Sequence, residues 1–570
     1  MSEIMEKYQK WLDSPVVDEA SKKELQNCDD MEDRFYKDLE FGTGGLRGVL
    51  GAGSNRMNIY TVRQAAQGMA SYIRDEGEKA MAMGVAISYD PRHYSPEFAM
   101  ETAKVLAANG IKSYVFDEMR PTPELSFAVR YLKAFAGVMI TASHNPSKYN
   151  GFKAYGEDGA QLAPEGTAII TKYIRSTDIF TGVKVMDETE AKEKGFISMI
   201  GADVDEAFYT AVLNQSITPD VNRAGLKIIF TPFHGTGHIP VKEVLKRAGF
   251  SDVTIVPEQA EKDPNFSTVK SPNPEEKEGF TLAIEMAKKS GADIIIGTDP
   301  DADRIGVVAK NSKGEYQVFT GNQTGALLAE YILTRKTAQN EIKKGDYLVT
   351  TIVSTKIAEK MAKKYGIDYY EVFTGFKFIA DVIKKKEDNQ EVGNFLFGYE
   401  ESYGYLSGTY ARDKDAVAAA LLICELAAYF KDNGMSFAEA LENIFKTYGY
   451  YNEKTISVVM EGKDGMEKMQ TIMAQIAQNP PKELAGKKIL AMRDYNTEKR
   501  TDFATGETSP LTIGKSSVLY FEMEDGGFFV IRPSGTEPKI KLYFESIGTS
   551  EEEVKNSTAA MEDAARKLLS

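Results

Sequence analysis

The chain has 570 residues and a formal net charge of −15 at pH 7. That length exceeds what one hydrophobic core supports, so we expect three or four domains. The acidic balance argues against general binding to nucleic acid or to anionic membranes, although it leaves room for a local basic pocket.

No segment of the sequence predicts secretion or insertion into a membrane. The first residues are charged and amphipathic, without the apolar core of a signal peptide. The longest apolar stretch, residues 416–430, is interrupted by Glu425 and is too short to span a bilayer, so it predicts a buried helix. Cys28 and Cys424 stand alone, which disfavours a disulfide framework and a CxxC metal site. We expect a cytoplasmic protein.

The first candidate functional segment is glycine-rich and reads FGTGGLRG over residues 41–48. We interpret it as a loop whose glycines let the backbone approach an anion closely, with Arg47 as a charged donor. The spacing matches neither a Walker A loop nor the dinucleotide fingerprint, so the loop alone is weak support for an anion site.

Three stretches, which begin near residues 83, 226 and 346, repeat one plan. Each has a β-rich run, a helix with an apolar period near 3.6, a glycine at the expected C-cap and a second β-rich run. Each therefore predicts a βαβ unit. Their spacing indicates domain-sized repeats, although βαβ units are also common in large α/β enzymes without repetition.

Ser143 and His144 stand side by side after an apolar run at residues 138–140. No GxSxG elbow is present, and a chain with four histidines gives a Ser-His-Asp triad little support. In an extended loop His144 would be a poor general base for Ser143, because successive side chains diverge. Ser143 is therefore either an ordinary turn hydroxyl or a nucleophile that carries a phosphoryl group.

Three aspartates alternate in the loop that follows an apolar strand near residue 294. Asp299, Asp301 and Asp303 can direct oxygen ligands at a hard divalent cation such as Mg²⁺. An EF-hand is excluded, since its sixth and twelfth positions would be Gly and Glu where this chain has Arg304 and Lys310. A phosphatase with a nucleophilic aspartate and a solvated acidic turn remain open.

Loops in the third quarter of the chain carry polar groups that suit a sugar phosphate. FGYEESYGY places Glu400 next to Glu401 and close to Ser402, which suits the vicinal hydroxyls of a sugar, although paired glutamates are more often surface charge. Thr374 and Gly375 are further candidates. Lys414, in YARDKDAV, is another.

From about residue 448 the pattern changes to consecutive short β-rich runs flanked by helical segments. This predicts a mainly antiparallel sheet in a separate α+β domain. One loop of this segment, IRPSGTEPK, joins Arg532 to Ser534, Gly535 and Thr536. Their guanidinium, hydroxyls and exposed amides match the tetrahedral oxygens of a phosphate.

Seven motifs, taken in order, resemble the α-D-phosphohexomutase family, most closely its phosphoglucomutase and phosphopentomutase branch. They are FGTGGLRG, TASHNP, NGFKAY, DPDADR, TGFKFI, GYEES and RPSGTEPK. The resemblance implies an α/β fold in which three similar mixed-sheet domains and a mobile C-terminal α+β domain surround a central cleft. We place these domains at residues 1–206, 207–320, 321–447 and 448–570.

Carried over by position, the resemblance implies a role for each motif. The phosphoserine falls on Ser143, whose phosphoryl oxygens complete a Mg²⁺ site with Asp299, Asp301 and Asp303. Catalytic positions are Arg47, Ser143, His144 and Lys153. Substrate-binding positions are Arg47, Ser143, Asp303, Arg304, Thr374, Gly375, Glu400, Ser402, Lys414, Arg532, Ser534, Gly535 and Thr536. Tyr403-Gly404 stand where some bacterial members have Gly-His, so the general acid/base is unassigned.

The implied reaction interconverts α-D-glucose 1-phosphate and glucose 6-phosphate. Ser143 gives its phosphoryl group to the sugar monophosphate, and the bisphosphate turns round and returns its other phosphate. Implied cofactors are Mg²⁺ and glucose 1,6-bisphosphate as activator. Phosphopentomutase and phosphomannomutase activities are the alternatives within the family, and a metal-dependent sugar-phosphate phosphatase is the alternative from another class. The sequence indicates no oligomeric state.

Overall fold

The computed structural model describes residues 3–42, 44–460, 465–534 and 539–569. The chain divides into two compact units, and each combines two separate stretches of sequence. The first unit comprises Met1–Thr324 and Gly375–Phe437, and the second comprises Gly325–Thr374 and Ala438–Ser570.

A six-stranded mixed sheet begins the first unit. Its strands are Gly45–Val49 (β1), Val85–Tyr89 (β2), Ser113–Phe116 (β3), Ala136–Ile140 (β4), Tyr149–Tyr155 (β5) and Ile197–Ile200 (β6). They lie in the order β1-β5-β4-β2-β3-β6, with β2 parallel to β3 and β4, and with β5 antiparallel to β4 and β1. The helices are Glu3–Asp13 (α1), Glu19–Gln26 (α2), Met31–Phe35 (α3), Ile59–Asp75 (α4), Glu78–Met83 (α5), Ser95–Ala108 (α6), Thr122–Tyr131 (α7), Pro164–Ser176 (α8), Glu188–Glu193 (α9) and Ala202–Leu213 (α10).

The centre of this sheet is dry, because β2 and β4 are buried at every position. Such strands read as continuous apolar runs when helices cover both faces. Asn58 is the N-cap of α4. Its side chain accepts from the amide of Thr61, and the Thr61 hydroxyl accepts from the amide of Asn58. This capping box fixes the start of a helix that packs on the sheet core.

A five-stranded mixed sheet follows in the same unit. Its strands are Lys227–Thr231 (β7), Asp252–Ile255 (β8), Ile294–Thr298 (β9), Ile305–Lys310 (β10) and Tyr316–Phe319 (β11), and its helices are His238–Arg247 (α11), Pro257–Ala260 (α12) and Thr281–Ser290 (α13). The order is β11-β10-β9-β7-β8, with β7 parallel to β8 and β9, and β10 antiparallel to its neighbours.

The next segment contributes elements to both units. They are Gly321–Ala338 (α14), Tyr347–Thr351 (β12), Ile357–Tyr365 (α15), Asp368–Val372 (β13), Phe376–Asp388 (α16), Phe395–Glu400 (β14), Gly404–Leu406 (β15), Ala416–Asp432 (α17) and Phe437–Tyr448 (α18). In the second unit β12 and β13 pair in parallel, and in the first unit β14 and β15 form an antiparallel pair.

The C-terminal segment of the second unit is an antiparallel sheet with two helices. Its elements are Tyr450–Val459 (β16), Gly465–Gln478 (α19), Glu483–Leu484 (β17), Lys487–Asp494 (β18), Lys499–Asp502 (β19), Thr508–Pro510 (β20), Leu519–Met523 (β21), Phe528–Pro533 (β22), Lys539–Gly548 (β23) and Glu551–Leu568 (α20). The order is β16-β23-β22-β21-β18-β19-β20, and β17 pairs with β18.

These elements confirm the main predictions from the sequence. The three βαβ units are β2-α6-β3, β7-α11-β8 and β12-α15-β13, and the two strands of each unit pair in parallel. α17 is the predicted buried helix, and the C-terminal segment has the predicted antiparallel sheet. The boundaries placed at residues 206, 320 and 447 stay predictions. No helix of the described residues is both long enough and apolar enough to cross a membrane.

One prediction is wrong in part, because the glycine-rich segment is not a loop throughout. Gly45 begins β1, which pairs with β5 along its whole length. A Cβ at Gly45 would lie 2.2 Å from the carbonyl oxygen of Phe152, so glycine at this position serves the close approach of two strands.

A buried carboxylate fastens α17 within the first unit. Glu425 accepts hydrogen bonds from the amides of Ile217 and Thr218, at 2.8 and 2.9 Å, and it pairs with the buried Arg223. Glu425→Ala leaves the guanidinium without its partner, so we expect the free energy of unfolding to fall by about 3–5 kcal/mol. Urea unfolding followed by tryptophan fluorescence would measure this.

The matched control is Glu206→Ala, which removes an exposed ion pair with Arg247 from the same unit. We expect its unfolding midpoint to stay close to that of the unmodified protein, because exposed pairs contribute little. Equal midpoints for the Glu425 and Glu206 variants would contradict the role of Glu425.

Candidate active site

Ser143 lies just beyond the carboxyl end of β4, in a left-handed conformation with φ 53°. It is 3% exposed, and its Oγ donates to Asp299 Oδ2 at 3.1 Å. Non-glycine residues adopt this conformation rarely, and such strain concentrates at functional sites. The contact joins two loops that are 156 residues apart in sequence.

The predicted divergence of the Ser143 and His144 side chains is wrong. Ser143 Oγ lies 3.1 Å from His144 Nδ1. The prediction assumed an extended loop, whereas the positive φ of Ser143 turns the backbone between the two side chains. Burial, and then the charges of Arg304 and Arg47, hold the pKa of His144 well below its ordinary value, so the imidazole is neutral near pH 7.

The three aspartates follow β9 and converge as the sequence predicts. Their carboxylates are at most 2% exposed, and one oxygen of each lies within 4.8 Å of the others. Asp299 Oδ1 accepts the amides of Asp303 and Arg304, at 3.1 and 3.0 Å. Oδ1 of Asp301 and Oδ1 of Asp303 are buried without a hydrogen-bond partner among the described residues.

These two orphaned oxygens, in an all-carboxylate cluster, fit a divalent cation that prefers oxygen ligands, such as Mg²⁺. The alternative of a solvated acidic turn does not fit, since the carboxylates of Asp299, Asp301 and Asp303 are buried. Burial, together with the charges of Asp301 and Asp303, raises the pKa of Asp299 well above its ordinary value. A cation at this position would relieve that repulsion.

Two lysines reach the aspartate cluster from different segments. Lys153, on β5, lies 2.8 Å from Asp301 Oδ2, and Lys414 lies 3.1 Å from Asp303 Oδ2. Burial alone would lower the pKa of each lysine, but the carboxylates raise the pKa of both. Burial would raise the pKa of Asp301, but the charge and hydrogen bond of Lys153, with further hydrogen bonds to Thr122 and Asp299, lower it below its ordinary value. Both lysines are therefore charged, and an entering phosphoryl group would meet two cations.

The loop after β14 lies against the aspartate loop. Arg304 and Gly404 form an antiparallel bridge, and the amide of Ile305 donates to the carbonyl of Tyr403 at 3.1 Å. A Cβ at Gly404 would lie 2.0 Å from Cδ of Lys414, so glycine at this position leaves room for the lysine to reach Asp303.

Glu400, at the end of β14, is buried and accepts a hydrogen bond from the amide of Gly375 at 2.7 Å. The alternative that this glutamate is plain surface charge is excluded. Ser402 follows it in the partly buried turn before β15. Arg47, on β1, is exposed and donates to Asn145 Oδ1, next to the Ser143 loop, at 3.3 Å.

The structure brings most of the predicted site residues together in the first unit. Those in direct contact with one another are Ser143, His144, Lys153, Asp299, Asp301, Asp303, Arg304 and Lys414. Thr374, Arg532 and Ser534 belong to the second unit. Gly535 and Thr536 lie outside the described residues.

Several residues that contact the site or its lysines were not predicted from the sequence. Thr122 Oγ1 donates to Asp301 Oδ2 at 2.8 Å. Asp413 Oδ1 accepts from Lys414 Nζ at 3.1 Å, and its Oδ2 accepts from Tyr155 OH at 2.9 Å. Tyr155 could have been found, because it shares a strand face with Lys153 two residues earlier. Thr122 starts α7 and carries no signal that separates it from an ordinary helix terminus.

Comparison with known protein families matches four consecutive segments of the chain. Residues 38–179, 206–314 and 320–448 match alpha/beta/alpha domains I, II and III of phosphoglucomutase/phosphomannomutase, and residues 483–564 match its C-terminal domain. The phosphoglucomutase of Staphylococcus epidermidis is 40% identical over 536 residues, which cover 94% of this chain and 95% of that protein.

Solved structures share the fold at low sequence identity. The open form of Paramecium pp63/parafusin, a phosphoglucomutase, has a TM-score of 0.67 and 17% identity, with 94% of each chain covered. A phosphoglucomutase/phosphomannomutase family protein from Burkholderia thailandensis has a TM-score of 0.66 and 20% identity, with 94% of this chain and 97% of that chain covered.

The aspartate cluster generates a prediction about metal binding. Asp301→Asn removes the charge from one proposed ligand, so we expect the affinity for Mg²⁺ to fall by more than about tenfold. Calorimetric titration of Mg²⁺ into the protein would measure the affinity. The control is Asp381→Asn, which makes the same charge change at an exposed pair with Lys385. Equal Mg²⁺ affinities for the two variants would contradict the site.

Proposed function

Because this chain belongs to the phosphoglucomutase/phosphomannomutase family, we propose that it is an intramolecular phosphotransferase that interconverts α-D-glucose 1-phosphate and glucose 6-phosphate. One observation carries the proposal. Ser143 is buried and has a left-handed backbone conformation, and its hydroxyl donates a hydrogen bond to Asp299 of the three-aspartate cluster. A plain turn hydroxyl needs none of these features.

In the first half-reaction the bond between Ser143 Oγ and phosphorus breaks while a sugar hydroxyl oxygen bonds to the same phosphorus. One proton moves overall from the sugar hydroxyl to Ser143 Oγ, and the product is a sugar bisphosphate. His144 Nδ1 lies 3.1 Å from Oγ, and because its imidazole is neutral it can accept the Ser143 hydroxyl proton when the phosphoryl group returns to this serine. The second half-reaction repeats these steps in reverse on the other phosphate.

The charged groups of the site favour transfer of a phosphoryl group. Asp299, Asp301, Asp303 and a phosphoserine oxygen would hold Mg²⁺, which when bound neutralises charge on the phosphoryl group. Lys153 and Lys414 place two ammoniums beside the same carboxylates.

The remaining candidates bind the sugar and its second phosphate in this proposal. Glu400 and Ser402 hold sugar hydroxyls, with Thr374 and Gly375 beside them. Arg47 and Arg304 approach the reacting phosphate. The distal phosphate binds at the loop of Arg532, Ser534, Gly535 and Thr536. The 40% identity to the phosphoglucomutase of Staphylococcus epidermidis supports glucose as the sugar.

Glucose 1,6-bisphosphate is the proposed activator, because it can return a phosphoryl group to Ser143 after an intermediate escapes. The test supplies glucose 1-phosphate, Mg²⁺ and a trace of this bisphosphate and measures glucose 6-phosphate. We expect turnover, and intact-mass analysis together with peptide mapping should place one phosphate on Ser143. Ser143→Ala should lose both, whereas Ser71→Ala, on the surface of α4, should keep both.

Three outcomes would overturn the proposal or its substrate. Full turnover by Ser143→Ala would exclude the phosphoserine route. Release of inorganic phosphate without glucose 6-phosphate would favour the phosphatase. A tenfold higher kcat/KM for mannose 1-phosphate or ribose 1-phosphate, about 1.4 kcal/mol in transition-state binding, would replace glucose with that sugar.

A variant at Arg532 tests whether this loop binds the distal phosphate. It lies on β22, and losing a charge-assisted, bidentate contact costs about 1.5–3 kcal/mol. Arg532→Ala should therefore raise KM for glucose 1-phosphate by about tenfold or more, with the phosphorylation of Ser143 little changed. Arg500→Ala, which removes an arginine from β19 of the same sheet, is the control. Equal KM values for the two variants would remove Arg532 from the site.

A further inference from the structure

A closed ring of hydrogen bonds holds the backbone of Ser143. Its amide donates to Thr141 Oγ1 at 2.8 Å, and Thr141 Oγ1 donates to Asp90 Oδ2 at 2.6 Å. The same Asp90 oxygen accepts from Arg92 Nε at 3.0 Å, and Arg92 Nη2 donates to the Ser143 carbonyl. One buried Asp-Arg pair therefore fixes both polar groups of the Ser143 backbone.

Arg92 also organises the rest of the loop that carries Ser143. Its Nη2 donates to the carbonyl of Asn145 at 2.6 Å, and its Nη1 donates to the carbonyls of Pro146 and Tyr149, at 2.9 and 3.1 Å. Arg92 is 1% exposed, so water cannot replace these donors. Only a planar guanidinium offers so many donors in a fixed fork, and a lysine ammonium does not.

The pair of Asp90 and Arg92 is itself held by segments that adjoin both sheets of the first unit. Asp90 directly follows β2 and accepts hydrogen bonds from the amide of Arg92 and from Ser95 Oγ, at 3.0 and 2.9 Å. The guanidinium packs on the ring of Phe266, 5.0 Å from its centroid, which comes from the segment between β8 and β9. Ser271 of that segment donates to the carbonyl of His144 at 3.1 Å.

The physical reason for this construction is the conformation of Ser143. A left-handed serine persists only where surrounding contacts override its preference for negative φ. Four loop carbonyls accept hydrogen bonds from one buried guanidinium. Without it the Pro146 carbonyl would keep the amide of Tyr149, at 3.0 Å, but the other three would lose the donor that they share. The loop would then relax, and Ser143 Oγ would leave Asp299.

We propose that Arg92, anchored by Asp90, is the positioning residue that aims Ser143 Oγ at the phosphorus atom during transfer. Arg92 touches neither substrate nor metal in this scheme, and it acts through the loop backbone. The inference rests on the proposed function, because it presupposes that Ser143 carries the phosphoryl group.

The experiment compares Arg92→Ala, Arg92→Lys and Arg92→Met with the unmodified enzyme. We expect kcat to fall by about a hundredfold in all three, because misplacement of a reacting atom by about 1 Å costs this much. KM should change by less than about threefold, since the sugar contacts remain. Guanidinium chloride at millimolar concentration should restore kcat by about tenfold or more in Arg92→Ala, by refilling the vacated position.

Arg92→Met keeps that position filled, so guanidinium should not restore its activity. Arg223→Ala removes another buried arginine, which pairs with Glu425, and controls for lost stability. We expect it to unfold more easily while its kcat per folded molecule stays unchanged and guanidinium has no effect.

The outcomes separate the two proposals. If the unmodified protein shows no mutase turnover and carries no phosphoserine, the proposed function and this inference are overturned together. If the unmodified enzyme is active, and if Arg92→Lys and Arg92→Ala have the same kcat per folded molecule as the unmodified enzyme, the inference alone is overturned. Equal restoration of Arg92→Ala and Arg92→Met by guanidinium also overturns the inference alone.

Discussion

Three carboxylates confined within 4.8 Å in a dry site are the constraint around which the first unit is organised. Like charges at this distance repel strongly where little water screens them. Partners for Asp301 and Asp303 come from several segments, since Lys153 reaches them from β5, Lys414 from the loop before α17, and Thr122 from the start of α7. Packing of these segments against one another therefore supplies the charges and hydrogen bonds that neutralise the cluster.

The same constraint explains why small residues stand at particular places. Lys414 reaches Asp303 because Gly404 has no side chain, and β1 approaches β5 closely because Gly45 has none. A glycine loses more backbone entropy on folding than another residue would, but at each of these two positions it permits a close approach. These close approaches let Lys153 and Lys414 reach the aspartate cluster next to Ser143.

The predicted elements were confirmed where the sequence carries a periodic signal. The helices of the βαβ units repeat apolar residues with a helical period, α17 is a continuous apolar stretch, and the C-terminal sheet is a series of short β-rich runs, so each carries a local signal. The convergence of the candidate site residues was predictable for a similar reason. Ser143 and the three aspartates follow buried strands, and strand ends are where side chains of an α/β sheet converge. Thr122 starts a helix and Asp413 precedes one, so neither carries this pattern. Arg92 follows the buried strand β2 as Ser143 follows β4, so the same signal was present there and was missed.

The sequence by itself determined the order of the elements, the fold family and the residues able to bind a metal or carry phosphate, because each depends on local periodicity or on short motifs. Only the tertiary structure decided how these residues meet. The left-handed turn at Ser143 brings His144 to its hydroxyl, against the expectation from an extended loop. That turn depends on Asp90 and Arg92, whose bonds to the loop cross from β2 to the end of β4. Contacts between strands follow from sheet register and domain packing, which no local pattern records.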